Sequence, residues 1–110
     1  MADHLKDFEL MVLLAVLRLD EDTAYGVPIS AEIEQTTGRG VALASVYAAL
    51  ERLEDRGWVS SRVGESTAQR GGRAKRYFRV TTKGVRRVRE AKGALVKMWR
   101  GIRELQGDLT

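Results

Sequence analysis

SVYAALERLEDRGWVSSRV (45–63), GESTAQRGGRA (64–74) and KRYFRV (75–80) run on as one unit, and the way that unit folds decides the architecture of the chain. Val46, Leu50 and Leu53 fall at i, i+4 and i+7, which gives one inward stripe and predicts a helix from about Ala44 to Arg56. Gly57 supplies the stop. Trp58 to Val63 then reads as a strand. A polar, glycine-bearing loop without a large apolar residue follows, and Lys75 to Val80 is the second strand. Its alternation sets Arg76, Phe78 and Val80 on one side and Lys75, Tyr77 and Arg79 on the other. Helix, strand, basic loop, strand is the order of a winged helix. That layout sets one helix where it can enter a DNA major groove and one hairpin where it can reach the flanking backbone.

Upstream, a helix is expected from about Leu5 to Leu19, with Asp3 or Asp7 near its start to meet the unpaired N–H groups. Leu5, Phe8, Val12, Ala15 and Leu19 form one stripe, and Leu10, Met11, Leu13, Leu14, Val16 and Leu17 fill most of the remaining surface. A helix apolar nearly all round has to be covered on more than one side, and a second subunit could cover what this chain does not. A second helix is expected from Pro28 to Thr37, facing the core through Ile29 and Ile33 and ending at Gly38 and Gly40. Downstream, Thr81 or Thr82 opens a last helix expected to run from about Lys83 to Gln106. Along it Val88, Ala91, Leu95, Met98, Ile102, Leu105 and Leu109 alternate at spacings of three and four, a heptad seam of three repeats. Pairing of two subunits along that seam is the economical reading. The alternative is a helix that folds back on its own domain. The expected fold is therefore mostly α with a small β-hairpin, a winged helix-turn-helix over residues 1–80 and a C-terminal dimerisation helix over 81–110.

Composition narrows the function. At 110 residues and 44% apolar content the chain holds one domain, or one with an extension. It has no cysteine, and no secretory signal pattern is visible, so a reducing cytoplasm is the expected compartment. The longest apolar run, Leu10 to Leu17, is far short of the roughly 20 residues that span a bilayer, so no membrane partner is expected. Charge is divided along the chain. Residues 1–38 carry eight acids against two cations, whereas 39–110 carry 17 cations against seven acids. The basic part begins just ahead of the 44–56 helix, which points to a polyanion; a solvated basic surface without a partner is the alternative. Catalysis has little to work with. His4 is the single histidine, so neither a nucleophilic triad nor a His/Cys zinc site can be assembled, and no phosphate-binding glycine motif follows a strand. No enzyme activity, metal or cofactor is expected. The Arg-Gly-Gly at 70–72 occurs also in RNA-binding segments, but a single copy between two strands reads as a wing tip.

On this reading the residues nearest a DNA major groove are Ser45, Tyr47, Ala48 and Arg52, and Arg70, Arg73, Lys75 and Arg76 form the basic wing that meets phosphates or the minor groove. Tyr47 has two readings, a hydroxyl on a phosphate or a ring at the edge of the core. Arg52 and Arg56 have an alternative as well, pairing with Glu51 or Asp55 along the helix. The subunit interface would set Phe8 and Met11 of the first helix against Val88, Leu95, Met98, Ile102 and Leu105 of the partner's last helix.

AYGVPISAEIEQTTG (24–38), SVYAALERLEDRGWVSS (45–61) and GGRAKRYFRVTTKG (71–84) together resemble the PadR family of bacterial transcription regulators. Tyr25-Gly26, Ser45-Val46-Tyr47, Leu50, Leu53-Glu54, Gly57, Arg76-Tyr77 and Thr81 to Gly84 match that family's pattern in order and spacing, over about residues 5 to 90. The chain departs from it at Leu43-Ala44, where a glycine is common, and at Ala48, where proline is frequent. The single last helix resembles the smaller branch of the family. The resemblance implies a winged-helix homodimer that represses nearby genes, with release by small molecules in some members; a two-fold dimer that projects two copies of the 44–56 helix is expected to bind a palindromic double-stranded operator. The resemblance also makes Met98 and Trp99 a candidate site for a small aromatic effector between the last helices. The other reading of Trp99 is packing on Phe8 or Met11 of the partner subunit. A winged-helix module that binds protein and no DNA is the alternative function; it would need neither the arginine-rich wing nor the seam.

Overall fold

The computed structural model describes residues 5–65 and 74–106. Four helices and one hairpin follow in the order α1 (Asp7–Arg18), α2 (Gly26–Thr37), α3 (Leu43–Asp55), β1 (Val59–Val63), β2 (Arg76–Val80) and α4 (Thr82–Trp99), with a short 3-10 turn at Arg103–Leu105. Asp7 opens α1, and the Lys6 N–H just before it donates to Glu9 Oε1 at 3.1 Å, one half of a capping box. Asp3 lies outside the described residues. α2 begins at Gly26, two residues ahead of the expected Pro28, because Tyr25 is already extended and its carbonyl accepts the first helical bond from Ile29 N.

The three helices and the hairpin close over one core. Val12, Leu13, Ala15 and Val16 of α1 meet Ile29 and Ile33 of α2, Val46, Ala49, Leu50 and Leu53 of α3, and Trp58, Val59, Phe78 and Val80 of the hairpin. β1 and β2 pair antiparallel with Val59 opposite Val80 and Ser61 opposite Phe78. The expected alternation holds: Phe78 and Val80 are buried and Arg79 is exposed. Phe78 N also donates to Ala24 O at 2.8 Å, which ties the hairpin to the turn before α2.

α1 is covered along one side only. Met11, Leu14 and Leu17 remain exposed on the other. Phe8 and Val88, expected at a subunit interface, are half-buried against the chain's own core. Thr81 caps α4, accepting from Gly84 N at 3.0 Å, and its hydroxyl donates to Gly57 O at 2.7 Å. From there α4 leaves the domain, and Gly84 is its one buried residue.

The seam is shorter than its sequence pattern. α4 ends at Trp99, not near Gln106, because Arg100 turns extended and Gly101 follows at φ 81, a left-handed conformation that stops a helix. Ile102 and Leu105 thus lie beyond the helix rather than on it, both exposed. Trp99 Nε1 donates to Leu105 O at 2.8 Å and folds the turn back on the helix end. Leu109 is outside the described residues.

Candidate nucleic-acid interface

α3 has two unlike faces. Its inner stripe is fully buried, and Ser45, Tyr47, Ala48, Glu51, Arg52 and Asp55 are exposed. Ser45 and Ala48 are small, so the helix can approach a partner surface closely at its first turns.

Tyr47 packs its ring at the edge of the core. Its ring lies across the first turn of α2, where a Cβ on Gly26 would overlap the phenol oxygen and ring. The absence of a side chain at Gly26 is what lets the ring settle there. Tyr47 is nonetheless 40% exposed, so the ring is edge-packed and still reaches the surface.

Arg52 does not pair with Glu51 or Asp55. Its Nε donates to Glu9 Oε2 at 2.7 Å, across to α1. Glu9 is 1% exposed, and it is the one buried charged residue among those described. Burial by itself pushes the Glu9 carboxyl up. The hydrogen bonds from Arg52 and the Lys6 N–H, with the charges of Arg52 and Arg56, outweigh that and hold it below the ordinary glutamate value. The Arg56 guanidinium lies 5.3 Å from the Trp58 ring centroid, and Arg87 of α4 lies 5.6 Å from the same ring. Lys83 Nζ donates to Arg56 O at 3.2 Å, placing a cation on the carbonyl end of α3, where it is favoured.

The wing is anchored more firmly than its composition suggests. Arg76 pairs with Glu54 of α3, and its Nε donates to Ser61 Oγ at 3.1 Å. Ser61 Oγ in turn donates to the other Glu54 oxygen at 2.7 Å. Arg76 therefore braces the hairpin against α3. Lys75 reaches the Tyr25 hydroxyl at 3.3 Å and lies 4.5 Å from that ring's centroid. Tyr25 meets Tyr77 edge-on at 5.5 Å, and Arg62 lies over Tyr77 at 4.6 Å. Sequence reasoning missed this run of cations and rings. The strand alternation, which puts Lys75 and Tyr77 on one side, was the available signal; Arg62 follows once register pairs it with Tyr77. Arg70 and Arg73 lie outside the described residues.

Among the described residues no group of three His, Cys, Asp or Glu side chains could hold a metal ion, and no helix is long and apolar enough to cross a membrane.

A three-helix core with a hairpin wing behind an exposed third helix is a winged helix-turn-helix. The profile of the transcriptional regulator PadR-like family matches residues 13–90, and the chain belongs to that family. It is a DNA-binding transcriptional regulator, not an enzyme. The fold is shared with a transcriptional regulator from Clostridium thermocellum, with a TM-score of 0.71 at 23% identity over 90% of this chain and 89% of that one. A PadR-like transcription factor from Bacteroides fragilis gives 0.67 at 23% identity over 83% and 82% of the two chains. A PadR family regulator from Clostridium difficile gives 0.71 at 18% identity over 93% and 100%. No curated protein matches the chain.

Proposed function

We propose that the chain acts as a homodimeric repressor that binds a palindromic duplex operator through two copies of α3, one per half-site, about one helical turn apart. The observation that carries this is the division of α3 into a fully buried stripe and an exposed face that opens on the small residues Ser45 and Ala48 and carries the Arg52 cation beside Glu51 and Asp55. On this reading residues 1–80 bind DNA and residues 81–110 dimerise. Ser45, Tyr47, Ala48 and Arg52 lie at the major groove. Arg70, Arg73, Lys75 and Arg76 serve the wing, with Arg76 working from its brace to Glu54. Two apolar stripes support the dimer. Met11, Leu14 and Leu17 on α1 line a groove of about 260 Å³ with Ile33. Leu95 and Met98 on α4 are 49% and 77% exposed, and Ile102 and Leu105 follow just beyond the helix. Each stripe is what the other lacks. The partner's α4 laid along α1 would cover both. A small planar effector would stack at Met98 and Trp99, whose indole is fixed by its bond to Leu105 O. It would release DNA by favouring a different spacing of the two α3 helices.

The test is a gel shift with a duplex selected from a randomised pool by the wild-type protein. Ala48→Glu sets a carboxylate on the exposed face of α3, away from the core, and should abolish binding while the protein stays folded. Wild-type binding by Ala48→Glu overturns the assignment of α3. Sedimentation of the wild type as a monomer at micromolar concentration overturns the dimer.

A further inference from the structure

We propose that Glu9 is a positioning residue for DNA binding: from the core side of α1 it holds the Arg52 side chain so that the outer end of the guanidinium is presented to a DNA phosphate. The inference rests on the reading that α3 faces DNA.

Glu9 and Arg52 are 43 residues apart in sequence and on different helices. Both Glu9 oxygens are engaged, Oε1 by the Lys6 N–H and Oε2 by Arg52 Nε. The contact on the arginine uses Nε alone. The two terminal nitrogens make no hydrogen bond among the described residues, and 45% of the Arg52 side chain stays exposed. Arg52 follows Ala48 by one helical turn, so it stands on the same face. A guanidinium is a rigid planar fork. Fixing it at Nε leaves the opposite edge directed away from the carboxylate, and that edge matches a phosphate. An arginine that docks on a phosphate from free solution loses rotamer freedom in doing so; one already held at Nε has lost part of it beforehand. The arrangement also explains why a carboxylate is retained in a core that is otherwise apolar.

A tie between α1 and α3 that served folding alone makes different predictions. The experiment compares wild type, Glu9→Gln, Arg52→Gln and the double variant, each checked for folding by helicity and melting. Each is titrated against the selected duplex over a range of salt. Arg52→Gln should bind about tenfold more weakly, with the salt slope reduced by about one. A carboxamide has one acceptor for two donors, so Glu9→Gln releases either Lys6 or Arg52. It should weaken binding severalfold even though it makes the protein more positive, where charge alone would tighten it. The double variant should be no weaker than Arg52→Gln. Wild-type or tighter binding by folded Glu9→Gln, or losses that add in the double variant, would overturn the inference while Ala48→Glu still abolishes binding. Wild-type binding by Ala48→Glu overturns the α3 reading and this inference with it. Should Glu9→Gln not fold, Arg52→Lys carries the test. Its single ammonium is drawn to Glu9 and leaves the phosphate unmet, so the loss should equal that of Arg52→Gln; wild-type affinity would refute the positioning role.

Discussion

Helices α3 and α4 are built on the same three-and-four spacing and end in opposite situations. In α3, Val46, Ala49, Leu50 and Leu53 are each 0% exposed. In α4 the stripe is packed only near its start, by Val85 and Val88, and further along Leu95 and Met98 stand open. The periodicity is the same and the covering is not. An apolar stripe says that something must lie on it; the rest of the chain decides whether that something is internal. α3 finds α1, α2 and the hairpin. α4 passes beyond them.

The largest effects should separate the two helices. Leu53→Ala leaves a cavity in a closed core and should cost about 2–5 kcal/mol of unfolding free energy, read by denaturant titration. Leu95→Asp should leave a helical, folded chain and remove self-association. A Leu95→Asp protein that sediments like the wild type would break the comparison, because the stripe on α4 would then not be an interface.

Two glycines sharpen it. A Cβ on Gly84 would overlap the Trp58 carbonyl oxygen and Val80 Cγ1, backbone and core that have no room to give. Gly84→Ala should cost about 1–3 kcal/mol, since overpacking forces the first turn of α4 off the hairpin. The atoms nearest a Cβ on Gly26 are the hydroxyl and outer ring carbons of Tyr47, the far end of a side chain that can swing away. Gly26→Ala should melt close to the wild type and still bind the selected duplex more weakly, because Tyr47 loses its seat on the first turn of α2. Equal melting losses for the two variants would show that Tyr47 is core and not surface.

Glu9 gives a pH dependence of definite sign. Its folded-state value lies below the ordinary one, so the ionised form stabilises the fold. That contribution is fully present above the unfolded glutamate value, about pH 4.3, and is lost as pH falls below it through the folded value. Thermal melts from pH 7 to 3 should fall less steeply for Glu9→Gln than for the wild type. Parallel acid limbs would mean that other carboxylates dominate.

Much of the fold was legible because it depends on local order. The α3 stripe, the strand alternation and the Thr81 cap each follow from residues within a turn or two of one another. The polar contacts were not legible, because their partners are remote. Glu9 sits in an apolar helix and reads as a surface charge until folding brings Arg52 over it. Glu54 lies within the α3 sequence, and nothing local marks it as the partner of Arg76. The end of α4 was written at Gly101, but the apolar spacing continues through it, and the spacing was followed where the backbone turns. Periodicity records which side chains could share a face; it does not record where the helix stops.

The smallest expected effect concerns Arg76, where wing and α3 meet. A free wing cation would lose one phosphate contact on truncation. Arg76 is instead paired with Glu54, with the two side chains 45% and 31% exposed, and such half-exposed pairs contribute about 0.2–1 kcal/mol. Arg76→Ala should therefore lower stability by less than about 1 kcal/mol. It also frees the Glu54 carboxylate on α3, held then, among the described residues, by Ser61 alone. A bare negative charge near the duplex should weaken binding to every sequence, though less than Arg52→Gln does. Arg76→Ala with Glu54→Gln tells the two causes apart. If the uncovered carboxylate is the cause, the double variant should recover most of the affinity and the wild-type salt slope. If the double variant still lacks about one charge of salt dependence, Arg76 leaves Glu54 on binding and contacts a phosphate itself, and the brace seen here belongs to the DNA-free state.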